Sequence, residues 1–379
     1  MIKQFYSPTR VVSGPGALES LGEETRSLGS KVLIVTDAGV QKVGLIDPIV
    51  RALEAAKLQV QIFTEVESNP TVQNVAAGHA AQNSFAADVL VAVGGGSAID
   101  TAKAVAVLAT NPGTIGDYEG FEKLRAVPLP LIAIPTTVGT GSEVTKGAVI
   151  SDHARHHKII AVSNKMYPRI AFLDPRMVES LPGSICAATG LDALTHAIEG
   201  YVALFQNPFS DALNLSAIEL IGLHLRPATA GNGEALHQMQ IAACLAGAGF
   251  HNAGLGIGHA LANTIGGHFN VHHGAANGIL LPHVMQFNLI ANLPRFSRIA
   301  SALGEKTKEL TLSEAGAKAV RAVQSLIADV GMPSRLRDLG VKEELLDQIS
   351  KESLVQLDRP ANPRKNSQAE LRAVLQAAY

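Results

Sequence analysis

Two stretches of the chain concentrate residues able to hold a metal ion. In "ATGLDALTHAIEGYV", Asp192 and His196 stand four residues apart, and "GIGHALANTIGGHFNVHHGAANG", Gly256 to Gly278, gathers four histidines among small residues. A spacing of four on a helix puts two side chains on one face, one turn apart, where both can grip the same ion. A lone Asp/His pair at that spacing is most often only a helix-surface pair, so the reading depends on partners. His259 and His273 can supply two more ligands. One carboxylate with three imidazoles makes a donor set of borderline hardness that suits Fe(II), Zn(II) or a similar divalent ion. Four protein ligands leave room at a five-coordinate ion for a substrate oxygen. His268 and His272 flank the proposed ligands and read as pocket residues: substrate contacts, proton carriers or polar lining. His283 reads as a structural hydrogen-bonder, and His153, His156 and His157 in "SDHARHHKII" as a solvated turn.

A second chemistry lies earlier in the chain. "VLVAVGGGSAIDTAKAVA" reads as a strand, a glycine turn and a helix carrying Ser97, Asp100 and Lys103 near its start. Glycines let the backbone approach a ligand closely, and the free amides of a helix N-terminus suit a phosphate. The run lacks the dinucleotide fingerprint with glycines at the first, third and sixth places, because Ala98 and Ile99 occupy the later ones; a structural tight turn is the competing reading. "IPTTVGTGSEVT" (Ile134 to Thr145) is a second glycine-rich loop after a buried strand, with hydroxyls on Thr136, Thr137, Ser142 and Thr145. Asp37, just past "KVLIVT", is either a helix cap or a carboxylate for ribose hydroxyls, and in the latter role it would favour NAD over NADP.

The elements that must position these residues differ between the halves of the chain. "KVLIVT", "LQVQIFT", "VLVAVGGG" and "LPLIAIPTT" predict strands, separated by segments of helical apolar spacing. Nearly continuous hydrophobic strands joined by helices imply a parallel sheet covered on both faces, with ligands at its carboxyl ends. From about Leu181 almost everything is helix-compatible, including a helix begun by Asn207-Pro208 and expected to stop at Pro227. The boundary is set at Pro182-Gly183: an α/β domain over 1–182 and an all-helical domain over 183–379. "LDRPANPRKNS" reads as a surface loop before a last short helix. With 379 residues, 47% hydrophobic, 17% charged and a net charge of −2, the composition points away from disorder and from nucleic-acid partners. No apolar run suits a membrane span and the start lacks a signal-peptide core, so the expected location is the cytoplasm. Cys186 and Cys244 are expected as reduced core residues.

Taken together, "VAVGGGSAIDTAKA", "IPTTVGTGSEVT", "GLDALTHAIEGYV", "GFHNAGLGIGHALA" and "HHGAANGILLPHVMQFN" occur in an order and at spacings that resemble the iron-dependent (group III) alcohol dehydrogenases, from about Phe5 to beyond Asn288. The resemblance implies a Rossmann-like α/β domain followed by an all-α domain, a dehydroquinate synthase-like architecture with the active site in the cleft between them, and a dimer or higher homo-oligomer. It implies Asp192, His196, His259 and His273 as metal ligands, His273 over His272 because it directly precedes "GAANG". It also implies NAD contacts from Asp37, Asn69, Gly95, Gly96, Ser97, Asp100, Thr136, Thr137, Thr145 and Lys158. The activity it implies is hydride transfer between an alcohol, bound as alkoxide to Fe2+ (or Zn2+), and NAD, or the reverse reduction of an aldehyde.

One position departs from the family. Many members carry a second histidine four residues after the third ligand, close to substrate and cofactor, where this chain has Asn263 in "HALAN". An amide hydrogen-bonds but does not trade a proton near neutral pH. The proton then leaves by water, His268, His272 or a ribose hydroxyl, or the preferred substrate differs. The rival readings are a sugar-phosphate cyclase of the dehydroquinate-synthase type, whose ligand set begins with a glutamate where Asp192 stands, and a catalytically silent NAD- or metal-binding protein.

Overall fold

The structure is a computed structural model and describes residues 3–155 and 157–379; His156 lies outside the described residues. The chain forms two compact units: Ser7–Thr137 with Ser142–Ser180, and Val138–Gly141 with Leu181–Tyr379 and the described residues before Ser7.

The first unit is built on a parallel sheet. Its strands are β1 (Arg10–Ser13), β2 (Lys31–Val35), β3 (Gln59–Phe63), β4 (Val89–Gly94), β6 (Leu131–Pro135) and β9 (Ile170–Leu173), in the order β1-β9-β6-β4-β2-β3. Helices α1 (Leu21–Arg26), α2 (Ala38–Lys42), α3 (Asp47–Ala55), α4 (Val72–Phe85) and α5 (Gly96–Leu108) connect them. Alternate residues of the central strands point to opposite faces. Val32, Ile34, Val91, Val93, Ile132 and Ile134 pack with Leu21, Ile49 and Leu53 of α1 and α3. Leu33, Val35, Leu90, Ala92, Leu131 and Ala133 pack with Ile99, Ala102 and Val105 of α5. Both faces are therefore buried, which is why these strands carry no polar alternation; each fully buried Val, Ile or Leu contributes ~1.5–3 kcal/mol of transfer free energy. Chain order reverses at the neighbours β2 and β4, and at such a switch point the carboxyl ends of the strands form a crevice. A smaller sheet, β5 (Gly120–Phe121), β8 (His157–Val162) and β7 (Gly147–Asp152), pairs β7 with β8 antiparallel, Ser151 opposite Lys158.

The second unit is helical: α6 (Gly183–Val202), α7 (Pro208–Thr229), α8 (Gly233–His251), α9 (Ile257–His268), α10 (His273–Asn288), α11 (Leu293–Ala302), α12 (Leu312–Asp329), α13 (Leu346–Glu352) and α14 (Gln368–Ala378). Helix α6 is its axis, with every residue from Cys186 to Val202 buried. A helix buried all round cannot segregate its polar residues to a wet face, so Asp192, His196 and Glu199 must find partners inside the protein. Among the described residues no helix is long and apolar enough to cross a membrane, and Cys186 and Cys244 are free and buried.

Two local expectations are corrected. Helix α7 starts as expected, with the Asn207 side chain accepting from the Phe209 and Ser210 amides at 3.1 Å, but runs through Pro227 to Thr229. Proline strips a partner from the carbonyl four residues back; that residue, Leu223, is 62% exposed, so water can serve it. The segment "LDRPANPRKNS" is not simply a surface loop. Asn362 is buried: its Oδ1 accepts from Asn288 Nδ2 at 2.9 Å and from the Ile257 amide at 3.3 Å, which ties the segment to the start of α9 and the end of α10.

In the first unit, Asp174 closes the loop after β9. Its buried carboxylate accepts from the Leu18 amide and from the backbone amide, Nε and Nη2 of Arg176. Burial pushes its pKa up, but the Arg176 guanidinium and the two amides outweigh that and hold it below the ordinary carboxylate range. Asp174→Asn is expected to cost ~1–3 kcal/mol near neutral pH, read by urea unfolding. Because the folded-state pKa is the lower one, the advantage of the wild type should be full above the unfolded-state value and fade as pH falls through the folded one. A constant difference across acid pH would refute the assignment.

Candidate functional site

The four residues expected to hold a metal all lie in the helical unit. Asp192 and His196 lie on adjacent turns of α6, His259 in the first turn of α9, and His273 opens α10. Helices α6 and α10 approach closely because Gly274 has no side chain; a Cβ there would stand 2.3 Å from the Ala188 carbonyl oxygen. One potential ligand atom from each of Asp192, His196 and His259 lies within 4.8 Å of the others, and all three residues are buried. The His196 ring stacks between Phe250 and His259, with centroids 4.4 and 4.5 Å away. His259 Nε2 is 3.9 Å from Asp192 Oδ1.

The electrostatics fit a cation. Burial would raise the Asp192 pKa, but His196, His273 and His259 beside it and the Asn277 amide bring it down to about 2. Burial, opposed by Asp192, takes the His196 imidazole down to about 4. At neutral pH the pair therefore offers a carboxylate and a neutral ring, the protonation states a metal requires. His259 Nε2 and His196 Nδ1 are both buried without a hydrogen-bond partner. Orphaned ring nitrogens around a buried carboxylate are what a divalent ion would satisfy.

His273 stands outside this tight set. Its Nε2 is 3.9 Å from Asp192 Oδ1 but accepts from Asn277 Nδ2 at 3.1 Å, and the same amide donates to Asp192 Oδ1 at 2.7 Å. His268 donates from Nε2 to Glu352 Oε2 at 2.6 Å, and His272 is exposed at the N-cap of α10. Asn263 is buried and donates to Asp358 Oδ2 at 3.0 Å.

The residues proposed for the dinucleotide lie in the sheet unit. Asp37 follows β2 and caps α2, its Oδ1 accepting the Val40 amide at 2.9 Å. Gly95 and Gly96 open α5 after β4, and a Cβ on Gly95 would be 3.0 Å from Thr137 Cγ2. The Thr136 amide donates to the Gly94 carbonyl at 3.0 Å, and Ser97 Oγ donates to the Ser68 carbonyl, beside Asn69, at 2.5 Å. The ends of β2, β4 and β6 and the loop after β3 thus converge at the switch point. Asp100, Thr145 and Lys158 have more internal settings. Asp100 Oδ2 accepts the Val149 amide at 3.0 Å, Thr145 Oγ1 accepts from the buried Lys103 Nζ at 3.1 Å, and Lys158 is buried on β8. Glu199, Asn277 and Asp358 are the polar groups that sequence reasoning did not assign to these sites. Glu199 and Asn277 were within reach, since each repeats the helical spacing of a proposed ligand, three after His196 and four after His273.

A nucleotide-type crevice in a parallel sheet, with a helical unit that buries a carboxylate and imidazoles, defines a metal-dependent, dinucleotide-linked enzyme. Residues 8–175 match the family described as iron-containing alcohol dehydrogenase, and residues 186–379 match the C-terminal part of the Fe-containing alcohol dehydrogenase family. The chain is 40% identical over 371 residues to a 1,3-propanediol dehydrogenase of Klebsiella pneumoniae, covering 97% of this chain and 96% of that one. It is 38% identical over 364 residues to an NAD-dependent methanol dehydrogenase of Bacillus methanolicus, covering 95% of each. Among solved structures, a 1,3-propanediol oxidoreductase superposes with a TM-score of 0.98 at 39% identity over 100% of both chains. The chain belongs to the iron-containing alcohol dehydrogenase family. It is an NAD-linked, metal-dependent alcohol and aldehyde oxidoreductase.

His259→Ala removes a buried ligand that no neighbouring side chain replaces. Metal content after desalting and NADH formation from a primary alcohol should both fall by more than about a hundredfold. Full metal occupancy in that variant would overturn the ligand assignment.

Proposed function

We propose that the chain interconverts short diols or primary alcohols and their aldehydes with NAD(H), using Asp192, His196 and His259 for the metal and His273 as a fourth ligand. The buried cluster of one carboxylate and orphaned imidazole nitrogens carries this reading, and the relatives named above point to the substrate class. A divalent ion held there supplies Lewis acidity toward the substrate oxygen. The remaining work falls to the chain. Gly95, Gly96, Ser97, Thr136 and Thr137 line the crevice for the pyrophosphate, and Asp37, with Oδ1 engaged by the Val40 amide, keeps its other oxygen for a ribose hydroxyl. Asn69 completes the cofactor side, and Asp100, Thr145 and Lys158 support it from within the same unit, Asp100 by holding the β7 backbone. Asn263 contributes a hydrogen bond but no proton, which leaves His268, backed by Glu352, and His272 as the imidazoles of that stretch able to move one. We further propose a cytoplasmic homodimer or higher homo-oligomer acting on a small-molecule alcohol or aldehyde.

The test is NADH formation by anaerobically purified protein, stripped of metal and reloaded with Fe(II) or Zn(II), against 1,3-propanediol, 1,2-propanediol, propan-1-ol and methanol. One metal should restore turnover, with kcat/KM higher for a diol than for propan-1-ol. A cyclase would regenerate its NAD and show no net NADH. Silence with every metal, in both the alcohol and aldehyde directions, would overturn the proposal.

A further inference from the structure

Helix α6 carries a third buried polar residue on the face that holds Asp192 and His196. Glu199 lies seven residues after Asp192 and three after His196, and only 2% of its side chain is exposed. It does not join the cluster that could hold an ion. Its carboxylate turns instead to the first turn of α9. Oε2 accepts from His259 Nδ1 at 2.7 Å and from the His259 amide at 3.3 Å, while Oε1 accepts from the Gly258 amide at 2.7 Å. The chain is shaped to receive it. A Cβ at Gly256 would stand 2.7 Å from Glu199 Oε1 and one at Gly258 2.8 Å from the same atom. Neither glycine has a positive φ, so space for the carboxylate, not backbone conformation, requires glycine at Gly256 and Gly258.

We infer that Glu199 is a positioning residue for the metal: by taking the Nδ1 proton of His259 in a hydrogen bond, it fixes the tautomer and aims the Nε2 lone pair at the ion shared with Asp192. The imidazole has two chemically similar nitrogens, and which one is free for a metal is decided by the bond the other makes. Here Nδ1 is committed to Glu199, and Nε2 is the buried, unpartnered nitrogen 3.9 Å from Asp192 Oδ1. Donors from the N-terminal turn of α9, the Gly258 and His259 amides, take up the carboxylate's remaining acceptor capacity. One helix therefore supplies two ligands directly and controls a third through seven residues of its own spacing.

The inference rests on the metal-dependent reading, but its readout is metal affinity and does not depend on which alcohol is turned over. Zn(II) and Co(II) affinities of the full-length wild type and Glu199→Gln would be measured by chelator competition. The Co(II) absorption spectrum and the thermal midpoint of the metal-free proteins would be recorded alongside. Glutamine keeps the size but replaces one of the two acceptor oxygens by a donor NH2, so it cannot serve all three donors that Oε1 and Oε2 accept from. Affinity is expected to drop about 10- to 100-fold, with an altered Co(II) spectrum and little change in the metal-free midpoint. A lowered midpoint with wild-type affinity and spectrum would make Glu199 a cap for α9 only and overturn the inference. If Glu199→Gln does not fold, Gly258→Ala displaces the carboxylate while leaving it in the chain, and it should weaken metal binding in the same sense; wild-type affinity there would equally overturn it. A wild type that binds neither ion would refute the metal site itself, a separate outcome.

Discussion

The constraint on which the helical unit turns is an ionised carboxylate, Asp192, inside a helix that is buried on every side. Removing a charge from water costs several kcal/mol even after the protein relaxes, and neutral imidazoles return only part of that. The arrangement makes sense as a cation site: ring nitrogens without hydrogen-bond partners, a carboxylate held at low pKa, and close helix approaches that bring residues from α6, α9 and α10 to one point. Small residues are the means. Gly274 admits the α6 backbone, and Gly256 and Gly258 admit Glu199. The glycine and alanine content of these helices follows from the need to bring polar atoms together in a dry interior, where side-chain bulk would hold them apart.

The sheet unit solves a different problem with the opposite material. Its strands carry bulk on both faces, so the ligand-facing chemistry is pushed to their ends, where the ladder stops and amides and hydroxyls come free. Asp37, Gly95 and Thr137 come from three different strand ends, yet the neighbouring register of β2, β4 and β6 sets them side by side. Asp100 and Lys103, one turn further into α5, are drawn into the protein instead. Burial raises the Asp100 pKa and lowers that of Lys103, and each is held by the other and by the β7 backbone. The start of α5 faces the crevice, and its next turn braces β7.

Much of this was legible in the amino-acid sequence, for reasons that also mark where legibility ends. Strands β2, β4 and β6 announce themselves because burial on both faces writes a continuous apolar run, whereas the edge strand β3, half-exposed, keeps two glutamines in "QVQIF". The buried β9, "IAFL", is only four residues long and was not singled out, and β7 and β8 showed only as strand-like flanks of the polar turn in "SDHARHHKII". The Asp192–His196 pair was readable because helical spacing is a local rule. Glu199 obeys the same rule on the same helix, but glutamate in a helix ordinarily means a solvated face, and only the packing of α7, α8 and α10 around α6 removes the solvent. Pro227 was read as a stop because the rule for proline is local, whereas the tolerance for it comes from the exposure of Leu223. The burial of Asn362 depends on partners 74 and 105 positions away, which no local pattern encodes.

The same distinction bears on Asn263, the one departure from the family pattern. Judged from sequence, it replaces an ionisable ring by an inert amide. In the folded chain that amide is committed to Asp358, 95 residues away, and a carboxyl group stands one helical turn from the His259 ligand position. Burial lifts the pKa of Asp358, against the pull of His259 and Asn263. The corner beyond the metal ligands has therefore not lost its titratable group. The group now arrives from the segment between α13 and α14, which Asn362 anchors to the start of α9 and which follows the helix carrying Glu352, the partner of His268. Two of the polar contacts that α9 makes beyond its metal ligand thus reach a region outside the motifs by which the family is recognised. Differences in proton handling or substrate preference among related chains need not reside in the motifs themselves; they can be carried by the C-terminal residues that hydrogen-bond to α9.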